Sequence, residues 1–245
     1  MSLKTLQIRY QTARSLPAPY AYFYTLALTP LVGELGVELT LVYPDRDDMD
    51  EEELLADGFT PDDDLTWAGR LPQTWRQTML TLADKARLKP VDEDQLSEDD
   101  EFWSVRIETP NVPTRQGRPQ HADDWQYVVQ ELIQAIYERA GRERPFELTY
   151  LKIRSPADVQ ETRLTASFAS RTVQVFTSHN EQERTRTLPW PTLQRVMSAV
   201  YAPDYDPEKA RHKRPREAGH WLSLGTDEWY DISDFSDVTS VLQAV

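Results

Sequence analysis

Alternation opens the chain: Leu6, Ile8 and Tyr10 are separated by Gln7 and Arg9, a period of two that predicts a strand with one buried face. After the breaker Ser15–Pro19, Tyr20, Tyr22, Tyr24, Leu26 and Leu28 line one face of a second strand, and Val37, Leu39, Leu41 and Tyr43 one face of a third. Connections this short favour antiparallel pairing. The period then changes. Glu51–Asp57, closed by Gly58, reads as a short helix with a glycine cap. Leu71–Leu88 reads as a longer one, with Trp75, Met79, Leu82, Ala83 and Ala86 on a single stripe and Pro72 in the first turn, where its missing N–H costs nothing.

The pattern resumes at Trp103, Val105 and Ile107, a strand, followed by an expected loop over Pro110–Pro119. Trp125, Val128, Val129, Leu132, Ile133 and Ile136 share one helical face, with Asp123 or Asp124 at the start and Gly141 at the end. Strands are expected at Phe146–Arg154, Thr162–Phe168 and Thr172–Thr177. A helix then runs from Pro189 or Pro191 to Tyr201, followed by a hairpin of His220–Leu224 with Glu228–Ile232. Phe235, Val238, Val241, Leu242 and Val245 predict a closing helix. Runs of strands followed by helices, rather than strict alternation, point to an α+β fold of mainly antiparallel or mixed sheets with amphipathic helices packed on them. Three strands and a helix opening on Leu-Pro occur in each half (Leu71-Pro72, Leu188-Pro189), a faint β-β-β-α echo. The expected division is an N-terminal subdomain at 1–88, an acidic linker at 89–101 and a C-terminal subdomain at 102–245, able to pack as one domain.

Charge sharpens this picture. The 245 residues carry a net charge of −14, and residues 45–101 alone hold 19 acidic against 6 basic side chains. The dense runs are Asp45–Glu53, Asp62–Asp64 and Asp92–Glu101. A field of this sign repels phosphate backbones and anionic membranes, so nucleic acid is an unfavoured partner for the protein as a whole. The run at Asp45 lacks the glycine that a calcium loop needs at its sixth position, which Asp50 occupies. One segment has the opposite sign: Lys209, Arg211, His212, Lys213, Arg214 and Arg216, broken by Pro215 and without the interleaved aromatics that stack bases. No apolar run reaches the length of about 20 residues that spans a bilayer. The N-terminus offers no signal-peptide core, so a cytoplasmic location is expected.

Several chemistries are missing. With no cysteine, disulfides, thiolate nucleophiles and cysteine metal sites are absent. The eight glycines build neither GxGxxG nor GxxxxGK[ST], and there is no GxSxG or HExxH. No cofactor and no metal are called for. His121, just before Asp123 and Asp124 at a helix start, with His220 or His179 as a further, distant ligand, is the weak candidate for metal-assisted hydrolysis; helix capping explains the aspartates as well. Asp227, Asp231, Asp234 and Asp237 stand among aromatics as a sugar site might, yet turn and cap positions explain them too. Trp67 and Trp190, beside breakers and charge, are the tryptophans expected to be exposed anchors.

The sequence therefore favours a non-catalytic binding protein: an adaptor, assembly component or inhibitor that presents an acidic face, including Asp47, Asp48 and Glu51, to a basic protein partner. The alternatives are a metal-assisted hydrolase using His121, Asp123, Asp124 and His220, and a protein that contacts nucleic acid through Lys209, Arg211 and Arg214.

Overall fold

The structure, a computed structural model, describes residues 3–245. The described residues hold thirteen strands and five α-helices, in two compact units, one running to Ile136 and one from Tyr137 to Val245. All strand pairing is antiparallel, so the protein is α+β with two antiparallel sheets.

In the first unit β1 (Thr5–Gln11), β2 (Phe23–Pro30) and β3 (Glu34–Val42) follow one another, then a connection holding α1 (Glu51–Ala56), then β4 (Leu65–Pro72). Next come α2 (Gln73–Lys85), β5 (Leu88–Lys89), β6 (Phe102–Thr109), β7 (Val112–Pro119) and α3 (Ala122–Arg139), within which the division falls. The sheet order is β4-β3-β2-β1-β6-β7-β5. Thus the chain after the acidic 89–101 segment returns as β6 to pair with β1 inside the same unit. Register follows the apolar period: Leu6 faces Leu28, Ile8 faces Leu26, and Tyr10 faces Tyr24, with Leu39 and Leu41 continuing the rows on β3. These side chains are buried. Slipping one strand by a single residue would turn its whole row outward, so the pattern fixes the pairing. α2 runs close to β3 and β4 and buries Trp75, Met79 and Ala83, one residue per turn.

The second unit runs β8 (Phe146–Ser155), β9 (Asp158–Ser167), β10 (Thr172–His179), β11 (Gln182–Leu188), α4 (Pro191–Val200), β12 (Gly219–Ser223), β13 (Tyr230–Asp231) and α5 (Ser236–Ala244). Its sheet order is β11-β10-β9-β8-β12-β13. Each unit therefore winds a meander of four strands, a helix, and a strand that lies against the free side of the meander's first strand. Leu148, Leu164, Val173 and Val175 fill one face of the second sheet. On the opposite face Leu151, Ile153 and Trp221 form a smaller cluster, with Val159 and Trp229 against it. The Glu138 carboxylate accepts from the Ser167 hydroxyl at 2.5 Å and the Phe168 amide at 2.7 Å, closing the β9–β10 turn.

Four of the elements that differ from the sequence expectation have a clear physical reason. The second strand starts at Phe23 rather than Tyr20, because Thr12 and Tyr22 close the loop before it through paired hydrogen bonds. Leu71 and Pro72 end a strand, β4, that periodicity did not reveal. Its inward row Leu65, Trp67, Gly69, Leu71 is interrupted by a glycine, and a Cβ on Gly69 would lie 2.4 Å from the Trp67 ring. The expected loop at 110–119 contains β7, which pairs with β6 through its backbone while holding few apolar residues. β11, with sequence QERTRTL, is an edge strand that is exposed over almost its whole length and so carries no apolar period.

Candidate functional site

Strand register brings the acidic runs together. Gln11 stands opposite Phe23 and opposite Phe102, Phe23 opposite Val42, and Leu41 opposite Leu65. All five strand termini therefore lie at one end of the first sheet. The β3–β4 connection leaves from that end with eleven carboxylates and one arginine between residues 43 and 64. The β5–β6 connection arrives there with seven carboxylates and no basic residue between 90 and 101. Between them sits the 12–22 loop, to which the second connection is tied. The Ser15 amide donates to the Glu98 carbonyl at 2.9 Å, and Arg14 Nη2 donates to the Leu96 carbonyl at 3.0 Å. Nearly all the acidic side chains of both connections are exposed.

Arg46 organises the first of these connections. The residue is only 4% exposed although most of its neighbours in sequence are carboxylates. Nε and Nη2 donate to the Pro19 carbonyl at 3.1 and 3.0 Å, and Nη1 donates to the Thr60 carbonyl at 3.1 Å and to the Asp63 carboxylate. The guanidinium lies 3.9 Å from the Tyr43 ring centroid and 4.9 Å from that of Phe59. A planar five-donor fork with aromatic neighbours is a role that lysine does not fill. Burial by itself would raise the Asp63 carboxyl. The Thr60 hydroxyl and amide, then Arg46, outweigh it and hold the group below its ordinary range. The second connection is anchored at Glu101, whose carboxylate accepts from the Tyr10 hydroxyl at 2.9 Å. Tyr10 in turn stacks with Tyr24 at 5.2 Å and meets Trp103 edge-on at 4.8 Å, so the second acidic segment is tied at its end to a buried aromatic cluster.

Asp47 and Asp48 project from a 3-10 turn (Arg46–Asp48), and Glu51 from the first turn of α1; all three are exposed. Asp50 caps α1, accepting from the Glu52 and Glu53 amides at 2.9 and 3.2 Å. The other expected site residues lie elsewhere. Trp67 is half-buried on the inward row of β4, and Trp190 half-buried before α4, edge-on to Phe168 at 5.2 Å. His121 is exposed, as are Asp123 and Asp124 in the first turn of α3, while His220 belongs to the second unit on β12. There its Nδ1 lies 2.5 Å from the Tyr150 hydroxyl, and burial, then the nearby Lys152, depresses its pKa. His179 sits 2.8 Å from Asp158. Among the described residues no group of three or more His, Asp or Glu side chains is arranged to hold a metal ion.

The basic segment folds back on its own unit. Lys209 pairs with Asp206 at 2.9 Å, Arg211 with Glu217 at 2.7 Å and Arg214 with Glu161 at 2.6 Å. Arg211 also lies 4.6 Å from the Trp221 ring centroid and forms a backbone bridge with Trp229, covering the smaller apolar cluster. No helix among the described residues is long and apolar enough to cross a membrane. Arg46 and the 12–22 loop are the parts of the acidic end that sequence reading missed. The only signal was an arginine set alone in an acidic run and followed by Phe59 and Asp63. Compared with protein-family models, with curated proteins and with solved structures, the chain finds no match in any of the three.

Proposed function

We propose that this is a non-catalytic binding protein that docks a basic protein partner on the acidic end of its first sheet. One observation carries the reading: two acidic connections distant in sequence are delivered by strand register to the same end of one sheet, on anchors that hold them in place. Solvating loops have no need of a buried arginine or of tyrosine anchors. Fixed carboxylates around a docking surface steer a cationic partner and speed its association.

The test is capture from the native host with the immobilised protein, read by mass spectrometry, beside a variant carrying Asp47→Lys, Asp48→Lys and Glu51→Lys. The expected result is a partner retained by the unaltered protein, lost by the variant, and released as salt rises from about 0.05 to about 0.5 M, where the screening length falls from roughly 14 to roughly 4 Å. A partner held equally by both proteins and at both salt concentrations overturns the reading.

A further inference from the structure

The face of the second sheet that carries Leu148, Leu164, Val173 and Val175 ends in a polar row. Register sets His220 beside Lys152, Lys152 beside Gln160, Gln160 beside His179 and His179 beside Gln182, across β12, β8, β9, β10 and β11. Directly opposed residues share a face. The first four are half-buried, and neither the Lys152 ammonium nor the Gln160 amide has a hydrogen-bond or ion-pair partner among the described residues. His220 is fixed from one row further in. Gln243 Nε2 donates to the hydroxyl oxygen of the fully buried Tyr150 at 3.3 Å, and that hydroxyl lies 2.5 Å from His220 Nδ1. An amide NH2 only donates, so the tyrosine hydrogen turns to Nδ1 and the neutral imidazole carries its own hydrogen on Nε2. That leaves an oriented donor next to Lys152.

We propose that this row is a phosphate site, in which the oxyanion rests above Lys152 and is held by its ammonium, by His220 Nε2–H and by the Gln160 amide. Neighbouring strands lie about 4.8 Å apart, so His220 and Gln160 flank Lys152 closely enough for one tetrahedral ion to take a hydrogen bond from each of three strands. Charge around the row favours an anion. Asp158 is matched by Arg154 at 3.3 Å and by His179 at 2.8 Å. Glu181 lies beyond His179 in the β10–β11 turn, and Arg184, opposite Thr177, stands on the same face as the row. Lys152, Arg154 and Arg184 thus outnumber Asp158 and Glu181. Asp231 is opposite Trp221 and so belongs to the other face, although its field reaches His220 and favours the imidazolium, against Lys152. The site lies in the second unit and does not depend on acidic docking by the first.

A bound dianion favours the charged imidazole, which gives the test its readout. The histidine ring protons are titrated by NMR between about pH 5 and 8, in chloride and in inorganic phosphate at matched ionic strength. The His220 midpoint is expected to rise by about half a unit or more in phosphate, saturating with phosphate concentration, while that of the exposed His121 stays in place. Lys152→Gln removes the phosphate effect, and circular dichroism verifies that this half-exposed substitution keeps the fold. Substituting O-phosphoserine for phosphate separates the two sources of the group: saturation at a lower concentration assigns a phosphoryl group carried on a larger molecule, and a weaker effect assigns the free ion. No shift in phosphate, a shift that acetate reproduces, or one that persists in Lys152→Gln overturns the site. So does finding neutral His220 with its hydrogen on Nδ1 in a long-range proton–nitrogen spectrum.

Discussion

Replacing Arg46 by methionine removes the charge and all the donors while keeping a side chain of comparable length. The Pro19 and Thr60 carbonyls lose their donor, Asp63 loses its cation, and the space between the Tyr43 and Phe59 rings is filled by a thioether. Breaking a buried ion pair by removing one member costs about 3–5 kcal/mol, and the low end applies here because Asp63 is a third exposed and keeps its hydrogen bonds from Thr60. The aromatic contacts add up to about 2 kcal/mol in a desolvated setting, though such terms overlap rather than sum. A loss of about 4 kcal/mol is therefore expected. This is less than the roughly 5–15 kcal/mol that holds a domain together, so the variant folds. With a urea dependence of about 2 kcal/mol per molar, the unfolding midpoint of the first unit falls by about 2 M. Hydrogen exchange identifies the unit, with protection falling in residues 43–64 and unchanged in β9 and β10. The Asp63 carboxyl titrates below its ordinary value, so its contribution is complete above the unfolded pKa near 4 and is lost as pH falls through the lower folded value. The gap between the two proteins should accordingly narrow below about pH 4. A midpoint change under about 0.5 M would mean that Arg46 decorates the acidic end without holding it.

Two other perturbations probe the frame around the sites. A Cβ on Gly117 of β7 would lie 2.1 Å from the Lys89 carbonyl oxygen of β5. Gly117→Ala should cost about 1–3 kcal/mol in a thermal melt and raise exchange across residues 88–101; unchanged exchange there would show that β5 does not position the second acidic connection. His220, held neutral by burial and by Lys152 against the opposing Asp231, binds its proton less readily in the folded state than its ordinary value near 6.5. Between that value and its lowered folded pKa the unfolded chain holds more protons, so stability falls as pH falls through the window. His220→Gln should flatten that slope, and an identical slope in the variant would assign it to other groups.

The strands that carry paired apolar rows were legible because burial writes a period of two into them, as at Leu6–Tyr10 and Trp103–Ile107. β11 was not, because a ladder made of backbone hydrogen bonds places no demand on side chains at an exposed edge, and β7 was not because beyond β6 only the two-residue β5 pairs with it, leaving most of its length exposed. β4 was hidden for a different reason: the Trp67 ring covers Gly69, so one inward position is vacant in the sequence while filled in space. The acidic character of 45–101 could be counted directly from the residues. Its gathering at one end of a sheet could not, since that depends on β6 returning to β1 across an intervening helix, a pairing set by tertiary contacts. The same holds for Arg46, whose acceptors Pro19 and Thr60 are carbonyls and leave no trace in composition.

The acidic connections emerge where the ladders stop, so the frame and its electrostatic dress can change independently. The chain already contains the contrast: the link between helix and returning strand is carboxylate-rich after α2, yet after α4 it holds the lysines and arginines of 209–216. The two windings share the order of meander, helix and returning strand yet differ in charge at that joint, strongly acidic in one and near balance in the other. Substitutions in these joints can therefore reset the charge displayed beside a sheet while leaving every rung of its ladder in place.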